Sequence, residues 1–135
     1  MNTCIFCKII NKEIPSHMIQ ETPSSLSFLD IHPHAQGHTV IIPKKHVKIL
    51  AELNDKTTQE LILDVKKTMQ LLQNKLHPDG FNVGWNDGVA AGQVVGHLHI
   101  HILPRYTNDN GGSMHSIIKN PGKRSVEDIA KMFSK

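Results

Sequence analysis

No run of lysine and arginine in this chain is longer than a pair, so the basic stripe by which a domain grips a nucleic-acid backbone is missing. A net charge of +3 with neutral histidines leaves room for a small anionic ligand instead. No stretch approaches the roughly 20 apolar residues of a membrane span. The N-terminal MNTCIFCKIINKEIP has no basic segment leading into a long apolar one, as a secretory signal would. These absences predict a soluble, cytoplasmic protein with neither a nucleic-acid nor a membrane partner.

Cysteine is also scarce. Cys4 and Cys7 are too close in sequence to staple a fold, and in a reducing compartment a Cys-x-x-Cys pair serves more often as a metal or redox element. Seven prolines and nine glycines are ordinary for a globular chain, which excludes fibrous or disordered classes, and no repeat, linker or low-complexity tract is present. With 39% hydrophobic residues in 135, the economical arrangement is a single domain, residues 1–135, with its own core.

What is present is a set of periodic segments. Ile5, Phe6, Ile9 and Ile10 suit a short helix over Thr3 to Lys12, ended near Pro15. His17 to Glu21 and Leu26 to Ile31, separated by Thr22-Pro23-Ser24-Ser25, read as a hairpin, and Gly37 to Pro43 reads as a strand. Asn54-Asp55 can cap a long amphipathic helix from Thr57 to Leu76, on which Leu61, Val65, Met69, Leu72 and Leu76 recur at three- and four-residue steps. A turn at His77 to Gly80 precedes a strand at Phe81 to Trp85 and a small-residue loop at Asn86 to Gly92. Another strand follows, stopped by Pro104; Tyr106 to Arg124 is a loop, and Ser125 starts a terminal helix. There is no regular βαβ alternation, so the pattern predicts an α+β fold: a mainly antiparallel sheet with helices to one side.

The last of these strands holds the least ordinary composition. Gly92 to Arg105 reads GQVVGHLHIHILPR, with His97, His99 and His101 at every second position. Strand alternation points the three imidazoles one way, about 7 Å apart, and turns Leu98, Ile100 and Ile102 to the core. Imidazole titrates near neutrality, can be nucleophile or proton donor, and has two distinct nitrogens, so several on one face can divide catalytic roles. A polar sheet face and a metal-binding strand are the competing readings. Gly92-Gln93 and Asn86-Asp87-Gly88, just upstream, bring backbone N–H groups and a side-chain amide toward the start of the strand, where small residues let a phosphate approach.

These residues resemble the histidine-triad (HIT) family, whose pattern alternates three histidines with apolar residues. Asp30-Ile31 followed by GHTVIIPKKH (Gly37 to His46) looks like that family's nucleotide-binding half, and CIFCKII at Cys4 to Ile10 like the start of many bacterial members, so the likeness spans about residues 3–106. It implies a HIT-like five-stranded sheet with one long helix and short terminal helices, joined to a second sheet across a homodimer. The activity implied is hydrolysis or nucleotidyl transfer at the α-phosphate of a purine nucleotide conjugate, of the nucleoside phosphoramidate type, through a covalent nucleotidyl-His99. A dinucleoside polyphosphate hydrolase and a nucleotide- or zinc-binding module with little turnover are the alternatives.

By the same resemblance His101 and Gln93 serve the phosphate and leaving group, the carbonyl of His97 orients His99, and His38 supports the network. Phe28, Asp30 and Ile31 belong to the nucleoside pocket, with Asp30 accepting the ribose hydroxyls and the apolar pair enclosing a base. Asn86 and Val94 complete the substrate contacts. Val94 departs from members with Ser or Thr there and removes a hydroxyl donor to the phosphate. Cys4, Cys7, His46 and His97 match a structural zinc site, whereas the Cys-x-x-Cys pair taken alone also reads as two reduced thiols packed as small hydrophobes. His32 and His34 edge the ribose pocket, and the variable tail from Tyr106 to Lys135 holds the residues that read the leaving group.

Overall fold

The computed structural model describes residues 3–134; Met1, Asn2 and Lys135, counted in the expected domain, lie outside the described residues. Its elements in chain order are α1 (Ile5–Ile10), β1 (Met18–Glu21), β2 (Ser25–Leu29), β3 (Thr39–Pro43), α2 (Asp55–Leu76), β4 (Gly80–Gly84), β5 (Ile100–Arg105) and α3 (Val126–Lys131). The strands form one antiparallel sheet in the order β1-β2-β3-β5-β4, so β5 inserts between β3 and β4. Among the described residues no helix is long and apolar enough to cross a membrane.

Local sequence explains the helix ends. Asn54 caps α2 by accepting from the Thr57 N–H at 2.8 Å, and the helix stops where His77 takes a left-handed conformation before Pro78. The sulfur of Cys4 caps α1 by accepting from the Cys7 N–H.

Alternation along the strands sorts the core into two layers. Ile41, Ile100 and Ile102 face α2, where they meet Leu61, Val65 and Leu72. Leu26, Phe28, Val40 and Ile42 face the other way and are covered by Ile9, Phe6 and Ile10 of α1. Helices to one side were expected; α1 instead packs on the face opposite α2, because Leu26 and Phe28 of β2 and Val40 and Ile42 of β3 turn apolar side chains to that face, which must be covered as well. Polar groups between the sheet and α2 are paired: the buried Asp64 carboxylate accepts from Thr22 and Ser25, each at 2.7 Å, and Ser27 bonds Thr68.

The triad strand also departs from expectation. Ladder pairing begins only at Ile100, so His97 and His99 precede β5, although the alternation persists and Leu98 is still buried on the α2 face. Pro104 does not stop the strand: it lies opposite Phe81 and the strand runs on to Arg105. The Arg105 carbonyl accepts from Asp79 on the β4 side, so alternation turns the Pro104 nitrogen to the other edge, beyond the end of β3, where no ladder donor is needed.

Candidate active site and metal cluster

His101 is fixed by the sheet, opposite Val40 on β3 and Gly84 on β4, and it shares the α1-side face with His97 and His99. His99 is 9% exposed, its ring against His101 (centroids 5.1 Å) and Phe6 (5.0 Å). Phe6 also meets His97 and Phe28. Phe6, on the apolar face of α1, lies between the two cysteines in sequence, and that placement is the signal for its position beside the triad.

Backbone groups fix the tautomers around the site, because a carbonyl can only accept and an N–H can only donate. The Nδ1 of His99 lies 2.7 Å from the His97 carbonyl, so it carries the proton and leaves Nε2 with a free lone pair. The Nε2 of His97 lies 2.9 Å from the Pro43 carbonyl, so it donates there and leaves Nδ1 as the lone-pair nitrogen. The His34 N–H donates to Nδ1 of His38, which puts the His38 proton on Nε2, 2.9 Å from Nδ1 of His101. His101 therefore accepts at Nδ1 and keeps its own proton on Nε2. The three triad members thus hold their protons differently: His99 on Nδ1, His97 and His101 on Nε2.

Burial disfavours charge on His101, His38 and His97. Desolvation pushes the His101 pKa down to about 4, helped by the charges His99 and His38 would carry and opposed by Asp30. His38 is lowered by burial against the pull of Asp30, whose Oδ2 lies 3.6 Å away. His97 is lowered by burial more than the Pro43 carbonyl raises it.

The lone pair of His97 Nδ1 points into a second constellation. It lies 3.4 Å from Cys4 Sγ, 3.6 Å from Cys7 Sγ and 3.1 Å from Nδ1 of His46, while His46 Nδ1 is 3.3 Å from Cys7 Sγ. A tetrahedral zinc with nitrogen at about 2.0–2.1 Å and sulfur at about 2.3 Å requires ligand-to-ligand edges of roughly 3.3–3.8 Å, so the donor set and its spacing fit that ion. Asp30, His38 and His101 also converge. There the His38 Nε2 carries a proton directed to His101 Nδ1, with Asp30 Oδ2 at 3.6 Å, so His38 offers that cluster no lone pair.

The remaining expected residues take varied places. Asp30 holds the loop by accepting from the His32 N–H at 2.8 Å and keeps its other oxygen toward His38. Phe28 is buried in the core while Ile31 is 73% exposed, so the two do not form a closed slot in this structure. Gln93 spends its amide on the loop, donating to the carbonyls of Lys48 and Val95 and accepting from the Gly88 N–H. Val94 projects into solvent. Asn86 lines a cavity of about 880 Å³ that begins at Asp30, His38 and His101 and runs under the tail.

Residues 11–108 match the HIT domain family model. An adenosine 5'-monophosphoramidase of Schizosaccharomyces pombe is 39% identical over 109 residues, covering 81% of this chain and 79% of that one. The crystal structure of a HIT family protein from Bacillus anthracis superposes with a TM-score of 0.83 at 34% identity, covering 97% of this chain and 92% of its own. A zinc-bound histidine triad family protein from Mycobacterium smegmatis gives a TM-score of 0.75 at 36% identity, covering 80% and 78%. With its five-stranded antiparallel sheet, its wired histidines and a family match over most of its length, the chain belongs to the HIT family.

Proposed function

We propose that the protein is a purine-nucleotide phosphoramidase that works through a nucleotidyl-His99 intermediate. The observation that carries this reading is the bond from His99 Nδ1 to the His97 carbonyl, which leaves Nε2 free to attack phosphorus. The similarity to a yeast adenosine 5'-monophosphoramidase supports the same substrate class.

In the first step His99 Nε2 bonds to the α-phosphorus as the bond from phosphorus to the leaving nitrogen breaks. The leaving nitrogen needs a proton. The proton can be carried by the substrate, whose bridging nitrogen takes it up from solvent on binding, so that the amine departs neutral. The Nε2–H of His101 meanwhile faces the charge that develops on the phosphoryl oxygens. In the second step water attacks phosphorus, the bond to His99 Nε2 breaks to release the nucleotide, and the proton of the attacking water returns to solvent. His38 holds His101 in the required tautomer, and Asp30 is the carboxylate available to the ribose hydroxyls.

Cys4, Cys7, His46 and His97 would hold a zinc ion, which would supply structural cross-linking between α1 and the sheet; the zinc-bound Mycobacterium relative supports this assignment. Reduced thiols suit a cytoplasmic location. A homodimer with continuous sheets is supported by β4, which lies at the sheet edge and has a strand neighbour on one side only among the described residues. Light scattering that returns the monomer mass at micromolar concentration would refute it.

The central test is incubation with an adenosine phosphoramidate, acid-free trapping, and mass spectrometry of the His99 peptide. An added AMP on His99 is expected. Turnover without any adduct, retained in His99→Asn, would remove the proposed mechanism.

A further inference from the structure

The cluster of Cys4, Cys7, His46 and His97 is open on one side. Cys7 and His97 are buried, but Cys4 is half-buried and His46 is exposed, and both of the latter line a cavity of about 490 Å³ walled by Ile5 and Val94. A small molecule therefore has a route to the Cys4 sulfur. The Cys7 sulfur stands behind it, since the ligand atoms of the cluster all lie within 4.8 Å of one another. An accessible thiol with a second thiol beside it is the arrangement on which reversible two-electron oxidation runs: the first attacks the oxidant and the second resolves the product.

The consequences reach His99 by short paths. Ladder pairing begins only at Ile100, so the segment carrying His97 and His99 is held from the side. The Pro43 carbonyl accepts from His97 Nε2 at 2.9 Å, the Val47 carbonyl, next to His46, accepts from the Leu98 N–H at 2.7 Å, and His97 Nδ1 rests against both sulfurs. Phe6, between the two cysteines, sets its ring 5.0 Å from that of His99. A disulfide brings its sulfurs to about 2.05 Å and fixes the torsion between them. Drawing Cys4 Sγ onto Cys7 Sγ takes it off His97 Nδ1 and off the Cys7 N–H that it caps, and it shifts the turn of α1 that carries Phe6.

We propose that Cys4 is a modification site for hydrogen peroxide, with Cys7 as its resolving thiol, and that the resulting Cys4–Cys7 disulfide slows attack by His99. The effect on His99 rests on the phosphoramidase reading; the modification itself does not. In the first step the Cys4 sulfur bonds to one peroxide oxygen, the O–O bond breaks, and the departing oxygen leaves as water with the proton of the Cys4 thiol. The Cys7 sulfur then bonds to Cys4 Sγ, the S–O bond breaks, and a second water leaves with the proton of the Cys7 thiol. Where a metal holds the sulfurs as thiolates, solvent supplies those protons. Two thiols are oxidised by two electrons together, and one peroxide is reduced to two waters. The same step withdraws two thiolates from the cluster, so an ion held there is released.

The test treats the full, reduced, zinc-loaded chain with hydrogen peroxide in low excess. Peptide mass mapping should find Cys4 and Cys7 joined with the loss of two hydrogens, a chromophoric chelator should take up one zinc per disulfide, and NMR should show the His97 and His99 imidazole resonances shifted. With an adenosine phosphoramidate, kcat should fall at least about tenfold while KM stays within about threefold, and dithiothreitol with added zinc should restore it. Ile5→Trp narrows the cavity at a position outside the cluster and the triad, so it should slow disulfide formation severalfold and leave the activity of the reduced chain unchanged. Thiols that survive peroxide, an Ile5→Trp chain oxidised at the parent rate, or a disulfide that forms with kcat and both imidazoles unmoved overturn the proposal. A reduced chain that does not turn over the phosphoramidate overturns the phosphoramidase reading alone, because the mapped disulfide, the released zinc and the His99 shift are measured without it.

Discussion

The carbonyl of His97 accepts from Nδ1 of His99 at 2.7 Å, while the side chain of that same His97 turns its Nδ1 to within 3.6 Å of both cysteine sulfurs. One residue thus belongs to two constellations, with its backbone orienting the His99 ring and its own ring completing the Cys4, Cys7 and His46 cluster. The two roles are compatible because they use different atoms. The Pro43 carbonyl holds the ring so that its lone pair faces the cysteines.

Replacing the nucleophile separates chemistry from binding. His99→Asn removes the attacking Nε2, so hydrolysis should fall by on the order of 1,000-fold or more. Nucleotide affinity by calorimetry should stay within about threefold. A variant that turns over at close to the parent rate would mean another group attacks.

Zinc content should track the four-residue cluster. The purified protein is expected to carry one zinc per chain by elemental analysis. Cys7→Ser should reduce that content sharply and lower the melting temperature by roughly 5–10 °C, since bound metal that prefers the native state adds directly to its stability. Full zinc content in Cys7→Ser would show that the metal sits elsewhere.

Stability should decline as the pH falls from neutrality toward 4. His101 and His38 have native pKa values below the ordinary 6.5, so below that pH the unfolded chain binds protons that the native chain does not, and stability is lost as pH drops from 6.5 through the lowered native value. Urea melts at pH 7 and pH 4.5 should show it, and His101→Asn should flatten the difference. An equal slope in that variant would assign the acid sensitivity to other groups.

Ile100 tests the α2-side core independently of the chemistry. It is 1% exposed and packs in the layer formed with Leu61, Val65 and Leu72. Ile100→Ala should cost about 2–5 kcal/mol in denaturant melts through lost transfer energy and the cavity left behind. A cost below about 1 kcal/mol would indicate that the layer collapses onto the gap.

Much of the architecture was legible because it rests on short-range periodicity. The heptad-like spacing from Leu61 to Leu76 marked α2 to within two residues at its start, and the Asn54 cap explains the residual, since Asp55 and Lys56 complete the first turn. Period-two alternation placed His97, His99 and His101 on one face even though the ladder begins only at Ile100. Pro104 misled because the cost of a proline in a strand depends on which edge its nitrogen faces, and that depends on where β3 ends. The opposite placement of α1 was hidden for a similar reason: a six-residue helix has too few apolar positions to state which sheet face it will cover.

The sequence by itself determined the alternation of three imidazoles, the pairing of Cys4 with Cys7 and the long capped helix, because each depends on residues a few positions apart. Only the tertiary structure decided which histidine nitrogen carries each proton. Those assignments come from the Pro43, His97 and His34 backbone groups, which local dihedrals and strand register bring to the rings. It also decided that Gln93 is spent on backbone groups of Gly88, Val95 and the distant Lys48, that Phe6 leans on His99, and that Arg105 is neutralised by Asp109. Hydrogen bonds and ring contacts require separations of about 3–6 Å, and only the folded chain brings residues as distant as Phe6 and His99 that close.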